Sequence, residues 1–131
     1  MNSNVSGLAG ALLLVAAGVV HGAEQQFHRL FDFELDSGER LDCPVGYRTY
    51  GALQPDGSNV ILFPTWFGGT TNDLETFGKV GPGALADSDR YFVITVDALG
   101  NGVSCSPSNS ILKDSGSQIT ITTADMVRSQ R

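Results

Sequence analysis

Alternating apolar and polar positions predict an antiparallel pair of strands near residue 30. From Phe31 to Asp36 apolar and acidic residues alternate strictly, which is typical of a strand with one buried face. A turn at 37–39 leads into a second predicted strand, Leu41–Tyr50, and so short a connection favours a hairpin. The side chains expected to share a face are Phe31, Phe33 and Leu35 in the first strand, and Val45, Tyr47 and Thr49 in the second.

Two continuous apolar runs further along predict a parallel sheet. Val60–Phe63 and Tyr91–Val96 lack the alternation of a half-exposed strand, so we expect both to be covered on two faces. The longer connection between them is typical of parallel strands in an α/β fold. Short helices are predicted at Asn72 and at Thr122, each of which has an acidic residue three positions later. Helices this short would leave the sheet poorly covered.

The first residues of the chain have the pattern of an export signal. Residues 1–23 contain no Lys, Arg, Asp or Glu, and Gly7–Val20 consists only of Gly, Leu, Ala and Val. This length suits the apolar core of a signal peptide and is short for a membrane span. We predict a signal peptide at 1–23, a secreted or periplasmic location, and one mature domain at 24–131. A buried, alanine-rich helix is the alternative.

Composition narrows the range of partners. The net charge of −6 argues against nucleic acid as a partner, because a polyanion would be repelled. No later segment is long and apolar enough to span a membrane, so we expect no membrane contact after cleavage of the signal. The two cysteines, Cys43 and Cys105, lack the spacing of a metal or redox motif. An oxidising compartment permits a disulfide between them, and two free, partly buried thiols are the alternative.

Two segments match catalytic patterns but lie in the wrong context. GPGALA at 81–86 fits a relaxed dinucleotide fingerprint, yet no strand precedes it and no helix follows. Ser104–Ser106 follows an apolar strand, but the nucleophile pattern G-x-S-x-G fails at its last position. His28 is the only histidine after the predicted signal peptide. We therefore expect no complete Ser-His-Asp set within this chain.

The segment Pro64–Gly69 is the stronger candidate for a functional site. It ends the first apolar run, at the side of the sheet where open α/β folds bind their ligands. Glycines in such a loop let the backbone approach a substrate closely, and a backbone N–H there can form half of an oxyanion hole. An ordinary glycine-rich turn is the alternative.

Five separated segments keep the order and spacing of a known family. They are FELDSGERL at 33–41, YRTYGAL at 47–53, NVILFPTWFGG at 59–69, VGPGALADSDRYFVITVDALGNG at 80–102 and ITTADMVRSQ at 121–130. Together they resemble the homoserine acetyltransferase-like family of α/β-hydrolase-fold proteins. The resemblance extends from about residue 31 to residue 131.

The resemblance implies the N-terminal part of an α/β-hydrolase fold, with an antiparallel hairpin, two buried parallel strands and an end inside the first main helix. It implies a nucleophilic serine in G-x-S-M-G, a distant Asp and a C-terminal His, none of which is in this sequence. The backbone N–H of Phe67 would be the oxyanion donor, in a loop with Thr65, Trp66, Gly68 and Gly69. Thr65 stands where the family usually has His.

Two hypotheses of function follow from these patterns. In the first, the chain is an N-terminal fragment of an exported serine hydrolase or acyltransferase, inactive alone, whose full-length form acts on a small acyl ester or amide. This chemistry uses an acyl-serine and needs neither a cofactor nor a metal. In the second, the chain is a complete small secreted binding domain without catalytic function, stabilised by a Cys43–Cys105 disulfide.

Overall fold

The computed structural model describes residues 23–109 and 119–131, so the predicted signal peptide, apart from Ala23, lies outside the described residues. The strands are β1 (Gln26–Glu34), β2 (Arg40–Tyr50), β3 (Val60–Pro64), β4 (Val80–Gly81), β5 (Ala86–Asp87) and β6 (Phe92–Val96), and the helices are α1 (Thr71–Thr76) and α2 (Thr123–Arg128). In these two ranges, neither helix has the length and apolarity that a membrane span requires.

The main sheet has four strands in the order β1-β2-β6-β3. β1 and β2 form the predicted antiparallel hairpin, and β2 also pairs antiparallel with β6 through Tyr47–Tyr50. β3 pairs parallel with β6 from Val60 to Pro64, which confirms the predicted parallel pair. The carboxyl ends of β3 and β6 therefore lie side by side, and the loops that follow them meet at one edge of the sheet.

The predicted apolar face of the first strand is wrong at Phe31. The register of β1 against β2 shifts between Leu30 and Phe33, where Asp32 has a φ of 51°. This irregularity adds one residue to β1, so Leu30 and Phe33 both pack against the core while Phe31 is 71% exposed. Leu35 is buried as expected. The alternation of apolar and polar residues in the sequence does not show where a strand contains an extra residue.

The predicted cover on both faces is wrong for β3. β3 lies at the edge of the sheet, and the side chains of Val60 and Leu62 are 44% and 48% exposed. β6 takes the central position between β2 and β3, and its Val93 is fully buried. The apolar sequence of a strand shows that it can be buried, but it does not show whether the strand has a neighbour on both sides. β3 and β6 therefore have similar sequences although one is an edge strand and the other is central.

Both short helices begin with a capping box. α2 starts as predicted, with Thr122 as the N-cap and the side chain of Asp125 accepting from the Thr122 backbone N–H. α1 is also present, but its N-cap is Thr70 and the paired acid is Asp73. The predicted cap at Asn72 is therefore two residues too late.

The core consists of two apolar clusters on opposite faces of the sheet. Alternate residues of β6 point to them, since Ile94 and Val96 pack in the larger cluster and Val93 in the smaller. The larger cluster also includes Val45 and Tyr47, as predicted for one face of β2. The larger cluster also includes residues of the loop after β6, so this loop packs against the sheet. Its buried members are Leu35, Leu41, Cys43, Val45, Val96, Leu99 and Cys105.

Candidate functional site

The candidate oxyanion loop, Thr65–Gly69, begins where β3 ends. Thr65 is buried, and its backbone N–H donates to the carbonyl oxygen of Val96 at 2.9 Å, which continues the pairing of β3 with β6. The Thr65 hydroxyl accepts a hydrogen bond of 2.9 Å from the backbone N–H of Ala98. Thr65 thus fastens the start of this loop to the start of the loop that follows β6.

Both glycines of the loop meet a geometric requirement. Gly68 has a φ of 79°, a left-handed conformation that costs other residues free energy. Gly69 lies beneath the Trp66 ring, and an added Cβ would be 2.7 Å from the ring atom Cδ2. The Gly69 N–H donates to the Trp66 carbonyl oxygen at 3.0 Å and closes the turn. The compact turn therefore depends on glycine at both positions.

The tip of the loop is exposed and leaves a backbone donor unused. The side chain of Phe67 is 80% exposed. Among the residues that the structure describes, no protein atom accepts a hydrogen bond from the backbone N–H of Phe67. An N–H that is held by a fixed turn and has no internal acceptor is available to an oxygen atom of a ligand.

The buried carboxylate of Asp97 holds the far end of the loop. Asp97 directly follows β6 and is 1% exposed. Its Oδ1 accepts from the Thr71 backbone N–H at 2.8 Å and from Asn101 Nδ2 at 3.1 Å. Its Oδ2 accepts from Gln25 Nε2 at 3.0 Å and from the Thr71 hydroxyl at 3.1 Å. Four donors on three residues, two of which lie in distant segments of the chain, thus converge on a single acid.

Asn101 joins the two loops directly. Its Nδ2 also donates to the carbonyl oxygen of Gly69 at 2.9 Å, while its Oδ1 accepts from the backbone N–H groups of Val103 and Ser104 at 2.9 Å. Asp97 and Asn101 were not among the predicted site residues. A signal existed, because both lie in the DALGN segment directly after a buried strand, where α/β folds place ligand sites.

Ser104 is structural in this arrangement. Its side chain is fully buried, its hydroxyl donates to the Asp97 carbonyl oxygen at 2.7 Å, and it accepts from the Gly46 backbone N–H at 2.9 Å. A hydroxyl with both roles used inside the core cannot reach a substrate. This agrees with the expectation that Ser104–Ser106 is not a nucleophile motif.

The two cysteines meet in the larger apolar cluster. Both are buried and are free thiols in this structure. Hydrogen bonding with the Cys105 thiol, together with burial, raises the pKa of the Cys43 thiol. Both thiols are shielded from solvent, so neither cysteine can reach an acyl group of a substrate.

The remaining sequence candidates lie apart from this site. GPGALA at 81–86 runs from the two-residue strand β4 to β5, so a short strand does precede it, contrary to expectation, whereas the next described element after β5 is the strand β6 and not a helix. His28 is exposed on β1, where it pairs with Val45 of β2. Within 23–109 and 119–131, no group of three or more His, Cys, Asp or Glu residues is placed to bind a metal ion.

A small apolar cleft of about 260 Å³ adjoins the exposed tip of the loop. It brings side chains of the candidate loop together with side chains of the segment after β6 and of the segment before α2. A cleft of this size suits a short acyl or alkyl group rather than a large ligand. Its lining residues are Phe67, Leu99, Gly100, Pro107, Ile119 and Ile121.

Known proteins with similar sequences and structures are esterases and homoserine O-acetyltransferases. The chain is 40% identical over 79 residues to a probable esterase from Corynebacterium glutamicum, an alignment that covers 58% of this chain and 22% of the relative. It is 37% identical over 114 residues to a homoserine O-acetyltransferase from Pelobacter propionicus, covering 74% and 31%. The crystal structure of the acetyl esterase MekB matches with a TM-score of 0.70 and 29% identity, over 82% of this chain and 31% of MekB.

The alignments cover only a part of each relative. The chain spans 22–31% of the length of these three proteins. No family model matches the sequence. The structural matches to esterases agree with an α/β-hydrolase fold, of which the mixed sheet and its two short helices form a part.

Proposed function

Because this chain belongs to the homoserine acetyltransferase-like family of the α/β-hydrolase fold, and spans 36% or less of the length of these relatives, we propose that it supplies half of an oxyanion hole to a serine esterase or acyltransferase. The serine, its histidine and its acid would come from residues beyond this sequence. The 131-residue chain alone would then not turn over an activated ester.

The backbone N–H of Phe67, which has no acceptor in 23–109 or 119–131, is the observation that carries this proposal. When a serine attacks an acyl carbon, negative charge develops on the carbonyl oxygen, and fixed N–H donors stabilise that charge. Phe67 offers such a donor in a turn held at both ends, by Thr65 and by the Asp97–Asn101 pair. A preset donor needs no reorganisation as negative charge develops, so it stabilises the transition state more than the bound substrate.

The substrate class proposed is a small acyl ester, with an acetyl ester as the first choice. One relative is named an acetyl esterase and another a homoserine O-acetyltransferase. Both transfer an acetyl group, and they differ in the acceptor, which is water in one and a hydroxyl in the other. The cleft of about 260 Å³ beside Phe67 has room for a short apolar group and supports this choice.

Export is part of the proposal and rests on the sequence alone. An uncharged, apolar run at 7–20 followed by Gly22 and Ala23 is the pattern of a cleaved signal peptide. In a secreted or periplasmic protein, water is a more available acceptor than a cytosolic metabolite. We therefore favour hydrolysis over acyl transfer.

The first experiment reads the nucleotide sequence downstream of codon 131. A serine in a G-x-S-x-G pattern within about 40 residues, the length of one helix and one strand, is expected in some reading frame. Its absence from all three frames would overturn the proposal that this chain is one part of a serine enzyme.

The second experiment tests the donor in the full-length enzyme that such a frame encodes. Phe67→Pro removes the backbone N–H, whereas the matched control Phe67→Ala keeps it and removes the ring. We expect kcat for an acetyl ester to fall about 10²–10³-fold further in Phe67→Pro than in Phe67→Ala. Equal values of kcat in two folded variants would contradict a role for this N–H.

A further inference from the structure

Cys43 and Cys105 come together across two distant parts of the chain. Cys43 lies in β2 and Cys105 in the loop that follows β6, and their side chains are 0% and 2% exposed. The backbone N–H of Cys105 donates to the Pro44 carbonyl oxygen at 2.7 Å, so the loop runs directly along β2 at this point. A second link two residues further on, from the Gly46 N–H to the Ser104 hydroxyl at 2.9 Å, keeps the two segments in register.

No other chemistry accounts for the pair. His28, the only histidine among the described residues, is exposed on β1, and the cysteines share the interior of the larger apolar cluster. Within the described residues, no set of three ligands is available for a metal ion. Two neighbouring thiols with neither a base nor a metal beside them can be joined by oxidation to a disulfide.

We propose that Cys43 and Cys105 form a disulfide that fastens the Asp97–Ser106 loop to β2. The oxidant is a second disulfide, such as oxidised glutathione or the active disulfide of a thiol oxidase. The thiolate of one cysteine attacks this disulfide and releases one thiol of the oxidant. The thiolate of the other cysteine then displaces the second thiol, so the protein loses two protons and two electrons, and the oxidant gains them. The exchange takes place while the loop docks on β2, before burial closes off the sulfur atoms.

The cross-link would restrain more than its own two residues. The loop that contains Cys105 also contains Asp97 and Asn101, which hold Thr71 and Gly69 at the far end of the candidate oxyanion loop. Fixing this loop to β2 reduces the number of conformations in which those contacts are lost. The inference does not depend on the proposed function, because it concerns contacts within the chain.

The test refolds the full 131-residue chain at a fixed ratio of oxidised to reduced glutathione. After an acid quench, free thiols are alkylated in denaturant and the intact mass is measured. We expect a monomer that is lighter by two hydrogen atoms and carries no alkyl group. Because the chain has two cysteines, that mass has a single assignment. At the same glutathione ratio in strong urea, this species should fall roughly tenfold or more, because the native contact no longer raises the effective concentration of the thiols.

Four outcomes of this test would overturn the proposal. They are two alkylated thiols in native buffer, glutathione adducts alone, a disulfide-linked dimer, and equal yields with and without urea. The restraint is tested separately by hydrogen exchange at the Thr71 amide, which should be roughly tenfold slower in the oxidised chain than in the reduced chain. An unchanged rate would overturn the proposed effect on the Asp97 contacts. None of these measurements requires enzymatic activity, so failure of the proposed function would leave them interpretable.

Discussion

The loops after β3 and β6 start side by side at one edge of the sheet and use their polar groups differently. In the Thr65–Gly69 loop, Phe67 is 80% exposed and its N–H has no acceptor within the described residues. In the Asp97–Ser106 loop, Asp97 and Ser104 are buried and make several hydrogen bonds each. One loop presents a donor to solvent, and the other uses its donors and acceptors internally.

This difference indicates that the Thr65–Gly69 loop, the contact loop, is placed to meet a ligand. The Asp97–Ser106 loop, the supporting loop, holds it in position. A backbone donor is useful to a reaction only if it stays in place while charge develops near it. A short turn whose three middle residues are exposed has too few internal contacts to hold itself, so its position depends on neighbouring segments. Buried, fully paired polar groups provide such support, because losing any one of them leaves others unsatisfied in the core.

Replacement of Asp97 by Ala should have the largest effect of the variants considered. It removes the acceptor of four hydrogen bonds and leaves the Thr71 N–H and other donors buried without partners. We expect a loss of about 3 kcal/mol or more in the free energy of unfolding, measured in urea by the fluorescence of Trp66. Asp89→Ala, which removes an exposed acid, is the control and should change stability by about 0.5 kcal/mol or less. A loss below about 1 kcal/mol for Asp97→Ala would contradict a supporting role.

Gly46→Ala should weaken the same support from the side of β2. A Cβ at this position would be 2.7 Å from Asp97 Oδ2, 2.8 Å from Gln25 Nε2 and 2.9 Å from Val103 Cγ1. Overpacking of this kind costs about 1–3 kcal/mol, and we expect it as a lower urea midpoint. Adding Val103→Ala should recover part of the loss by removing one of the three contacts. No loss of stability would indicate that the supporting loop is free to shift.

Ser104→Ala should cost about 1–2 kcal/mol. The change deletes a buried hydroxyl and leaves the Gly46 N–H without its acceptor. Hydrogen exchange at the Gly46 amide is the specific measurement, because this N–H donates to the deleted atom. Ser108→Ala, at an exposed position two residues beyond this loop, is the matched control and should leave that exchange rate unchanged.

Phe67→Ala should have the smallest effect on stability, about 0.5 kcal/mol or less, since most of the ring is already exposed to water. It should instead alter the apolar cleft that Phe67 lines. Thermal unfolding of the variant is the measurement. A large destabilisation would show that the exposed loop contributes to the core, and the contrast between the two loops would then be wrong.

Local patterns predicted the parts of the fold that depend on neighbouring residues. The helix start at Thr122 could be predicted because a capping box needs only Thr122 and Asp125. The parallel pairing of β3 with β6 followed from two apolar runs and the length between them. The extra residue in β1 at Asp32 could not be predicted, because an irregularity inside a strand leaves no mark in the alternation.

The half of the candidate site formed by the Thr65–Gly69 loop could be predicted from the sequence in the same way. The loop Thr65–Gly69 could be proposed because a strand end, two glycines and a family resemblance coincide there. The contacts that support this loop could not be predicted, because two of the partners of Asp97, Gln25 and Thr71, come from distant segments of the chain. Contacts of that kind depend on the completed sheet, which brings the segments together only after folding.

Amide hydrogen exchange of Phe67 compared with Thr71 in the 131-residue chain tests the contrast most directly. Phe67 is at the tip of the turn and Thr71 lies two residues beyond its end, where Thr71 donates its N–H to the buried Asp97 at 2.8 Å. We expect the Phe67 amide to exchange near the rate of an unprotected peptide, and the Thr71 amide to exchange roughly tenfold more slowly or slower still. Asp97→Ala should remove the difference. Equal protection of the two amides in the unsubstituted chain would mean that the Phe67 N–H has an internal acceptor, and it would contradict its availability as an oxyanion donor.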